Sequence, residues 1–386
     1  MRILFIAPRL HPNQQAWIET LTQQGYFVKY LVSYSLPGNE RFDSVEPVVV
    51  CGSKLPRWYQ IAIFFSEIIT RSRLQIQYKL WPNKEQIYTE IHQFQPDIII
   101  IRETFTPLSL TTQRYAKKHK VPSVQYSQSP LTKNSSLFIK SLRALKIIPV
   151  LKMTPVRESG SSLHRYHDTF YVPLFVLPNL NNRGEDTDEL KILFVGKFNS
   201  RRKNHLMLLD ALGVIIRNYK VTLTMIGSTV FHNQKYFQEI KDRIVELGLE
   251  SAVTILTDIP PEKMNAVYQQ HDVFLLPSVN EPFSISPLEA MANGIPAIVT
   301  DSNGCRGHII DGENGFVIPS NDKDALISII SKCLDNKKLS SLQSGALTYT
   351  RDHNNEQLFM SDFTAMIENV LKDATILKQP NSEIHE

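Results

Sequence analysis

The chain has 386 residues, 42% of them hydrophobic and 21% charged, with a formal net charge of +4. That length allows two domains with separate cores, and the composition is that of a folded globular protein rather than a disordered or fibrous one. The longest apolar runs, Ile98–Ile101 and "IAIFF" at 61–65, are far too short to cross a bilayer.

"MRILFIAPRL" has one arginine before its apolar run and no small-residue cleavage site, so it reads as a first strand rather than a signal peptide. "NQQAWIETLTQQG" follows as a helix closed by Gly25, then "FVKYLVS" and "VEPVVVCG" as strands. Residues 57 to 93 read as one long amphipathic stretch. "PDIIIIRE" is a fully buried strand, "PLSLTTQRYAKKHK" a helix and "PSVQYSQ" a further strand. Continuous Ile/Val runs, without alternation, argue for a parallel sheet covered on both faces. After the polar stretch 177–190 the pattern restarts. "KILFVGKF" is a new first strand, "KNHLMLLDALGVIIRN" its helix, and "VTLTMIG", "VTIL", "VFLLPS" and "AIVT" are the later strands.

The expected fold is α/β, two Rossmann-like domains facing a central cleft. The boundaries are 1–176 for the first Rossmann-like domain, 177–190 for a connector and 191–355 for the second. A last helix over 356–374 and a frayed tail over 375–386 complete the chain.

Charge is distributed unevenly. No acidic residue lies between Glu103 and Glu158, while Arg114, Lys117, Lys118, Lys120, Lys133, Lys140, Arg143, Lys146, Lys152 and Arg157 do. Residues 57–80 and 136–152 mix basic residues with aromatic and aliphatic ones, as helices lying on anionic membranes do. Packing on the sheet with solvated charges is the competing reading. Three widely spaced cysteines, Cys51, Cys305 and Cys333, fit buried thiols in a reducing compartment. The expected localisation is cytoplasmic, with peripheral attachment to a membrane. No nucleic-acid partner is expected, because no binding fold accompanies the basic charge.

The stretch "NEPFSISPLEAMANG" holds Glu281 and Glu289 eight positions apart. Locally, Ser286, Pro287 and Glu289 spell a capping box with proline at the first helical position. That accounts for Glu289 and leaves Glu281 unexplained. The loop also follows a buried strand and feeds a helix N-terminus, which favours phosphate. Ionised glutamates at either end would accept hydrogen bonds from vicinal hydroxyls of a sugar and a ribose. Upstream, "FVGKFNSRRKNH" puts Gly196 and Lys197 at the end of a strand and Arg201, Arg202 and Lys203 at the mouth of a helix. Cations oppose the helix dipole there, so the cluster asks for an anion, such as a departing nucleoside diphosphate.

With "DGENGFVIP", these stretches resemble retaining glycosyltransferases of family four, in the glycogen-synthase-like GT-B superfamily. The likeness runs from about residue 190 to 335. It implies that Glu281 contacts the transferred sugar, Glu289 the ribose, and Lys197 and Lys203 the diphosphate. Lys197 stands where the family usually has arginine, and Ser284 where it usually has glycine. The resemblance further implies that the amides of Ser284 and Ile285 face the distal phosphate, with Phe283, Gly196 and Arg202 in the donor set. It implies that 1–176 is the acceptor domain and 191–355 the nucleotide-sugar domain, with a last helix that crosses back to the first; taken with the basic first half, the expected acceptor is lipid-linked. It also implies transfer of a hexose from a nucleoside diphosphate sugar, UDP-sugar by family frequency, to an acceptor hydroxyl with retention, in glycan, polysaccharide or glycolipid synthesis. Two departures lie in the first half. "APRLHPNQQ" lacks a paired glycine, and Gln128 or a neighbour sits where many members have histidine.

His11, Arg9 and Asn13, just after the first strand, are the candidates for acceptor contact. Asp186-Thr187-Asp188 spells the metal-binding triplet of the other glycosyltransferase fold, but it lies in the polar connector. The eleven histidines show no zinc spacing, so no metal or other cofactor is expected. A nucleotide-sugar epimerase, a phosphorylase and a non-catalytic scaffold on the same fold stay open as alternatives.

Overall fold

A computed structural model describes residues 1–11, 14–35, 45–53, 55–70, 79–130, 137–145, 147–158, 164–178, 189–198, 200–228 and 234–376. Asn13, the Asp186–Asp188 triplet, residues 179–188 of the connector and the tail from 377 lie outside them.

Two large sheets hold the strands expected from the sequence, and the first also gains three short strands that the sequence does not predict. In the first domain, β1 (Arg2–Ala7), β2 (Phe27–Val32), β6 (Ile98–Arg102), β7 (Ser123–Tyr126) and β8 (Lys152–Thr154) run parallel in the order β2-β1-β6-β7-β8. Short β3 (Val48–Val49) lengthens one edge, and β10 (Thr169–Tyr171) with antiparallel β9 (Arg165–Tyr166) the other. The Ile98–Ile101 run is at most 1% exposed, as a strand covered on both faces should be. The second domain is wholly parallel, β13-β12-β11-β14-β15-β16. Its strands are β11 (Leu190–Val195), β12 (Val221–Gly227), β13 (Val253–Thr257), β14 (Val273–Leu276), β15 (Ala297–Thr300) and β16 (Gly315–Ile318).

The helices follow local chemistry. Thr106 caps α4 (Pro107–His119) by accepting from the Ser109 amide, Pro107 opens it, and Lys117, Lys118 and His119 fill its last turn. The 57–93 stretch is not continuous. It divides into α2 (Arg57–Thr70), the two-residue strand β5 (Trp81–Pro82), paired with β4 (Cys51–Ser53), and α3 (Lys84–Phe94). Pro82 and the Asn83 cap, which accepts from the Gln86 amide, start a fresh helix there.

The last helix, α12 (Glu356–Ile376), packs on the first domain. Phe359 stacks on Trp17 of α1 (Gln15–Gln23), with ring centroids 5.4 Å apart, and tilts on Phe175 at 5.3 Å. The Trp17 indole N–H donates to the Pro173 carbonyl at 2.7 Å. These rings belong to a cluster that joins one face of the first sheet to the second domain, while Leu4, Ile6, Leu31, Ile99 and Ile101 form a second cluster on the other face. Cys305 and Cys333 are buried, Cys51 is partly buried, and none is in a disulfide.

Candidate functional site

In a parallel sheet the open crevice lies beyond the strand C-termini, where neighbouring crossovers leave in opposite directions. Here those points fall between β1 and β6 in the first domain and between β11 and β14 in the second. The chain after β11 carries Gly196, Lys197, Arg202 and Lys203, and the chain after β14 carries Glu281. The chain after β1 carries Arg9 and His11. The two edges face each other, because Lys197 is close enough to Arg9 and His11 for their charges to interact.

Glu281 and Lys203 meet. The Lys203 Nζ lies 2.8 Å from Glu281 Oε2, and Arg202 Nη2 lies 3.5 Å from Oε1. The carboxylate is 7% exposed and the lysine side chain 12%. Oε2 accepts no well-aligned hydrogen bond, so the contact is chiefly Coulombic. Left-handed asparagines flank both partners: Asn204, with φ 60°, follows Lys203, and Asn280, with φ 53°, precedes Glu281.

The backbone ties the two loops together, since the Val279 amide donates to the Arg202 carbonyl at 2.8 Å. A second loop clamps Glu281 from below. The Asn280 amide donates to Ser302 Oγ at 3.0 Å, and the Gly304 amide donates to the Glu281 carbonyl at 2.9 Å. A Cβ at Gly304 would sit 1.8 Å from the Pro282 oxygen, so only glycine allows this approach. At Gly196 a Cβ would lie 2.9 Å from the Phe194 ring and 3.4 Å from Lys203 Cδ, so the glycine leaves room for the ring and the lysine stem.

The cations sit on a 3-10 turn, Arg201–Lys203, ahead of α6 (His205–Ile215) rather than on its first turn. Left-handed Asn204 separates the two, which moves the charges away from the dipole they would oppose. Arg201 turns away from the site, pairing with Glu239 and covering the Tyr236 ring. Beneath the turn, His205 is fully buried between Phe194 and Phe198. Burial, with Lys203 beside it, lowers its pKa to about 3.

On the facing edge, burial is the main cause that holds His11 well below the ordinary imidazole pKa, and Arg102, Arg9 and Lys197 add to it. The ring is therefore neutral, and its Nε2 is buried without a hydrogen-bond partner. Burial also lowers Lys197, helped by Arg9 and Lys203. Arg102, which the sequence reading did not single out, stacks over Tyr126 at 5.0 Å. Its only local signal was a charged residue ending a run of four isoleucines.

Glu289 makes no capping box. The helix α9 (Ser286–Ala292) takes Ile285 as its N-cap with no side-chain hydrogen bond. The Glu289 carboxylate instead accepts from the Tyr268 hydroxyl at 2.7 Å, a residue of α8 (Pro261–Gln269). Burial raises the pKa of that carboxyl, and the Tyr268 bond opposes the rise. The capping explanation of Glu289 is thereby removed. Ser284 is buried, and Ile285 is partly buried. Phe283 packs its ring edge-on to His308 at 5.9 Å, so its side chain belongs to the core. Among the described residues no three His, Cys, Asp or Glu side chains come together as metal ligands would.

Two Rossmann-like domains with their strand C-termini facing one cleft define a GT-B fold. Residues 179–344, which span most of the second domain, match the family model of glycosyl transferases group 1. A D-inositol 3-phosphate glycosyltransferase of Corynebacterium urealyticum is 28% identical over 144 residues, 36% of this chain and 34% of the relative. The match thus spans about a third of that relative's length. Among solved structures, a glycosyltransferase from Rickettsia africae superposes with TM-score 0.72 at 15% identity, covering 96% of this chain and 99% of that one. Anabaena HepE in complex with UDP-glucose gives TM-score 0.68 at 18% identity, over 96% and 100% of the two chains. At these identities the structural likeness is one of fold.

Proposed function

We propose that the protein transfers a hexose from a nucleoside diphosphate sugar, UDP-sugar first, to an acceptor hydroxyl with retention of anomeric configuration. The observation that carries this reading is the Glu281 carboxylate held between Lys203 and Arg202 at the second domain's switch point. Lys203, Arg202 and Lys197 supply positive charge for a diphosphate. Glu281 is fixed to accept hydroxyls of the transferred sugar. Glu289 is assigned the ribose, and the amides of Ser284 and Ile285 the distal phosphate. The bond from the anomeric carbon to the β-phosphate breaks, and the acceptor oxygen bonds to that carbon on the same face. The acceptor's proton passes to the departing phosphate oxygen, so no enzyme base and no metal is required.

The product is assigned to polysaccharide or glycolipid synthesis, with a lipid-linked acceptor reached at an anionic membrane. What supports the membrane surface is α2, on which Trp58, Ile61 and Phe64 recur at helical spacing and are 57–64% exposed beside Arg57. No helix among the described residues is long and apolar enough to cross a membrane.

The test of the donor reading is a thermal-shift panel of nucleoside diphosphates, followed by product analysis with each sugar donor. A bound nucleoside diphosphate raises the melting temperature by mass action. A panel that moves nothing removes the donor reading. Vesicle flotation with and without anionic lipid tests the membrane, and equal partitioning removes that part alone.

A further inference from the structure

A cavity of about 270 Å³ opens beyond β6 and β7, lined by Arg102, Glu103, Thr104, Phe105, Gln125 and Gln128 among others. It adjoins the first domain's switch point, since Arg102 ends β6, next to β1, and the chain after β1 carries Arg9 and His11. Its volume falls just short of the ~300 Å³ at which drug-sized sites begin, which suits one small ring rather than an oligomer.

The walls specify the chemistry. Phe105 keeps 42% of its surface exposed although it is a large apolar residue next to the cleft. Thr104 Oγ1 and Gln125 Oε1 are buried and make no hydrogen bond, each an unmet polar atom of the kind folded proteins normally satisfy. Among the described residues Gln128 reaches only the Tyr126 hydroxyl, at 3.5 Å. Glu103 holds a left-handed backbone, φ 54°, a conformation that costs energy in a non-glycine residue and clusters at functional sites. An aromatic face beside amide, hydroxyl and carboxylate groups fits a pyranose, which offers an apolar C–H face and a rim of hydroxyls. Arg102 lines the cavity beside Glu103, so the wall carries no net charge that would select an anion, and an alkyl chain would leave every polar atom of the wall unmet.

We propose that this cavity is the acceptor subsite and that it takes one neutral pyranose ring, stacked on Phe105 and held through Glu103, Gln125 and Gln128. The assignment of the ring to the acceptor rests on the glycosyl-transfer reading above. It narrows the acceptor to a sugar hydroxyl, which a lipid-linked glycan can carry.

Saturation-transfer NMR tests it on the full chain with UDP present. The probes are the methyl pyranosides of glucose, galactose, mannose and N-acetylglucosamine, with glycerol as the acyclic control. At least one pyranoside is expected to bind saturably while glycerol does not, and Phe105→Ala should weaken it at least tenfold. Glu103→Gln, in which an amide replaces the carboxylate, is the second variant and should also weaken it. A cooperative melting transition, recorded on the same samples, shows that each variant is folded, and its rise with UDP reports donor binding. UDP binding without any pyranoside binding, or with binding that both variants leave intact, overturns this inference alone. Pyranoside binding that needs Phe105, without UDP binding, overturns the donor reading and leaves the sugar site standing.

Discussion

Lys203 Nζ lies 2.8 Å from Glu281 Oε2, and both groups are nearly out of solvent. Removing one member of such a pair strands the other, at about 3 kcal/mol, whereas removing both leaves no unpaired charge. Lys203→Met should therefore lose stability and nucleoside diphosphate affinity together. Glu281→Gln should bind UDP within a few-fold of the parent and lose transfer by roughly a hundredfold or more. The double variant should recover most of the stability lost by Lys203→Met. Chemical denaturation and a UDP titration of all four proteins complete the cycle, and strictly additive stabilities would mean that the pair is not coupled.

Gly304 sets the height of the Glu281 loop. An added methyl meets the Pro282 carbonyl at 1.8 Å, and the Gly304 amide is itself bonded to the Glu281 carbonyl. Gly304→Ala should cost ~1–3 kcal/mol, as overpacking does. The displaced loop carries Glu281 but neither Lys197 nor Lys203, so kcat should fall by more than UDP affinity does. An unchanged kcat would show that the 300–304 loop does not position the carboxylate.

The parallel strands were legible because a run such as Ile98–Ile101 has no polar face to offer. The Glu281 loop was legible because its carboxylate had no local explanation. Three features were not. Ser286 and Glu289 have capping-box spacing, yet the carboxylate goes to Tyr268, 21 residues away, a tertiary partner that helix periodicity cannot show. Strands β8 and β10, "KMT" and "TFY", are too short and mixed to signal burial. The proximity of Arg102 to His11, and of His11 to Lys197, exists only once two sheets are stacked edge to edge across the cleft.

Lys197 should give nucleotide binding an alkaline limb. Burial first, then Arg9 and Lys203, hold its pKa below the 10.5 of a free lysine, while a bound anion favours the charged form. Affinity should thus be level near neutral pH. Above the pKa of the unliganded protein it should fall by up to about tenfold per pH unit, until the pKa of the complex is reached. Lys197→Arg should move the limb to higher pH, because arginine keeps its charge. Lys197→Met should bind more weakly at neutral pH and lack the limb. Calorimetric titration of UDP across the alkaline range gives both slopes, and an unshifted limb in Lys197→Arg would assign it to another group.

His205 and His308 make the fold acid-sensitive. Both are fully buried, and burial depresses each to a pKa of about 3, against 6.5 when unfolded. Above pH 6.5 neither state binds a proton, and the two rings leave stability independent of pH. Between 6.5 and about 3 the unfolded chain takes up the protons and the native protein does not. Each ring then removes ~1.4 kcal/mol per pH unit as the pH falls, about 2.7 for the two. His205 lies between Phe194 and Phe198, so His205→Phe keeps an aromatic ring in the site and removes one proton from the balance. Its acid limb should be shallower than the parent's by about 1.4 kcal/mol per unit, with a loss at pH 8 of about 1 kcal/mol for the missing bond between His205 Nδ1 and the Tyr236 hydroxyl. Denaturation curves from pH 8 to pH 4 measure both slopes. Parallel limbs in the two proteins would mean that His205 is protonated in the native state.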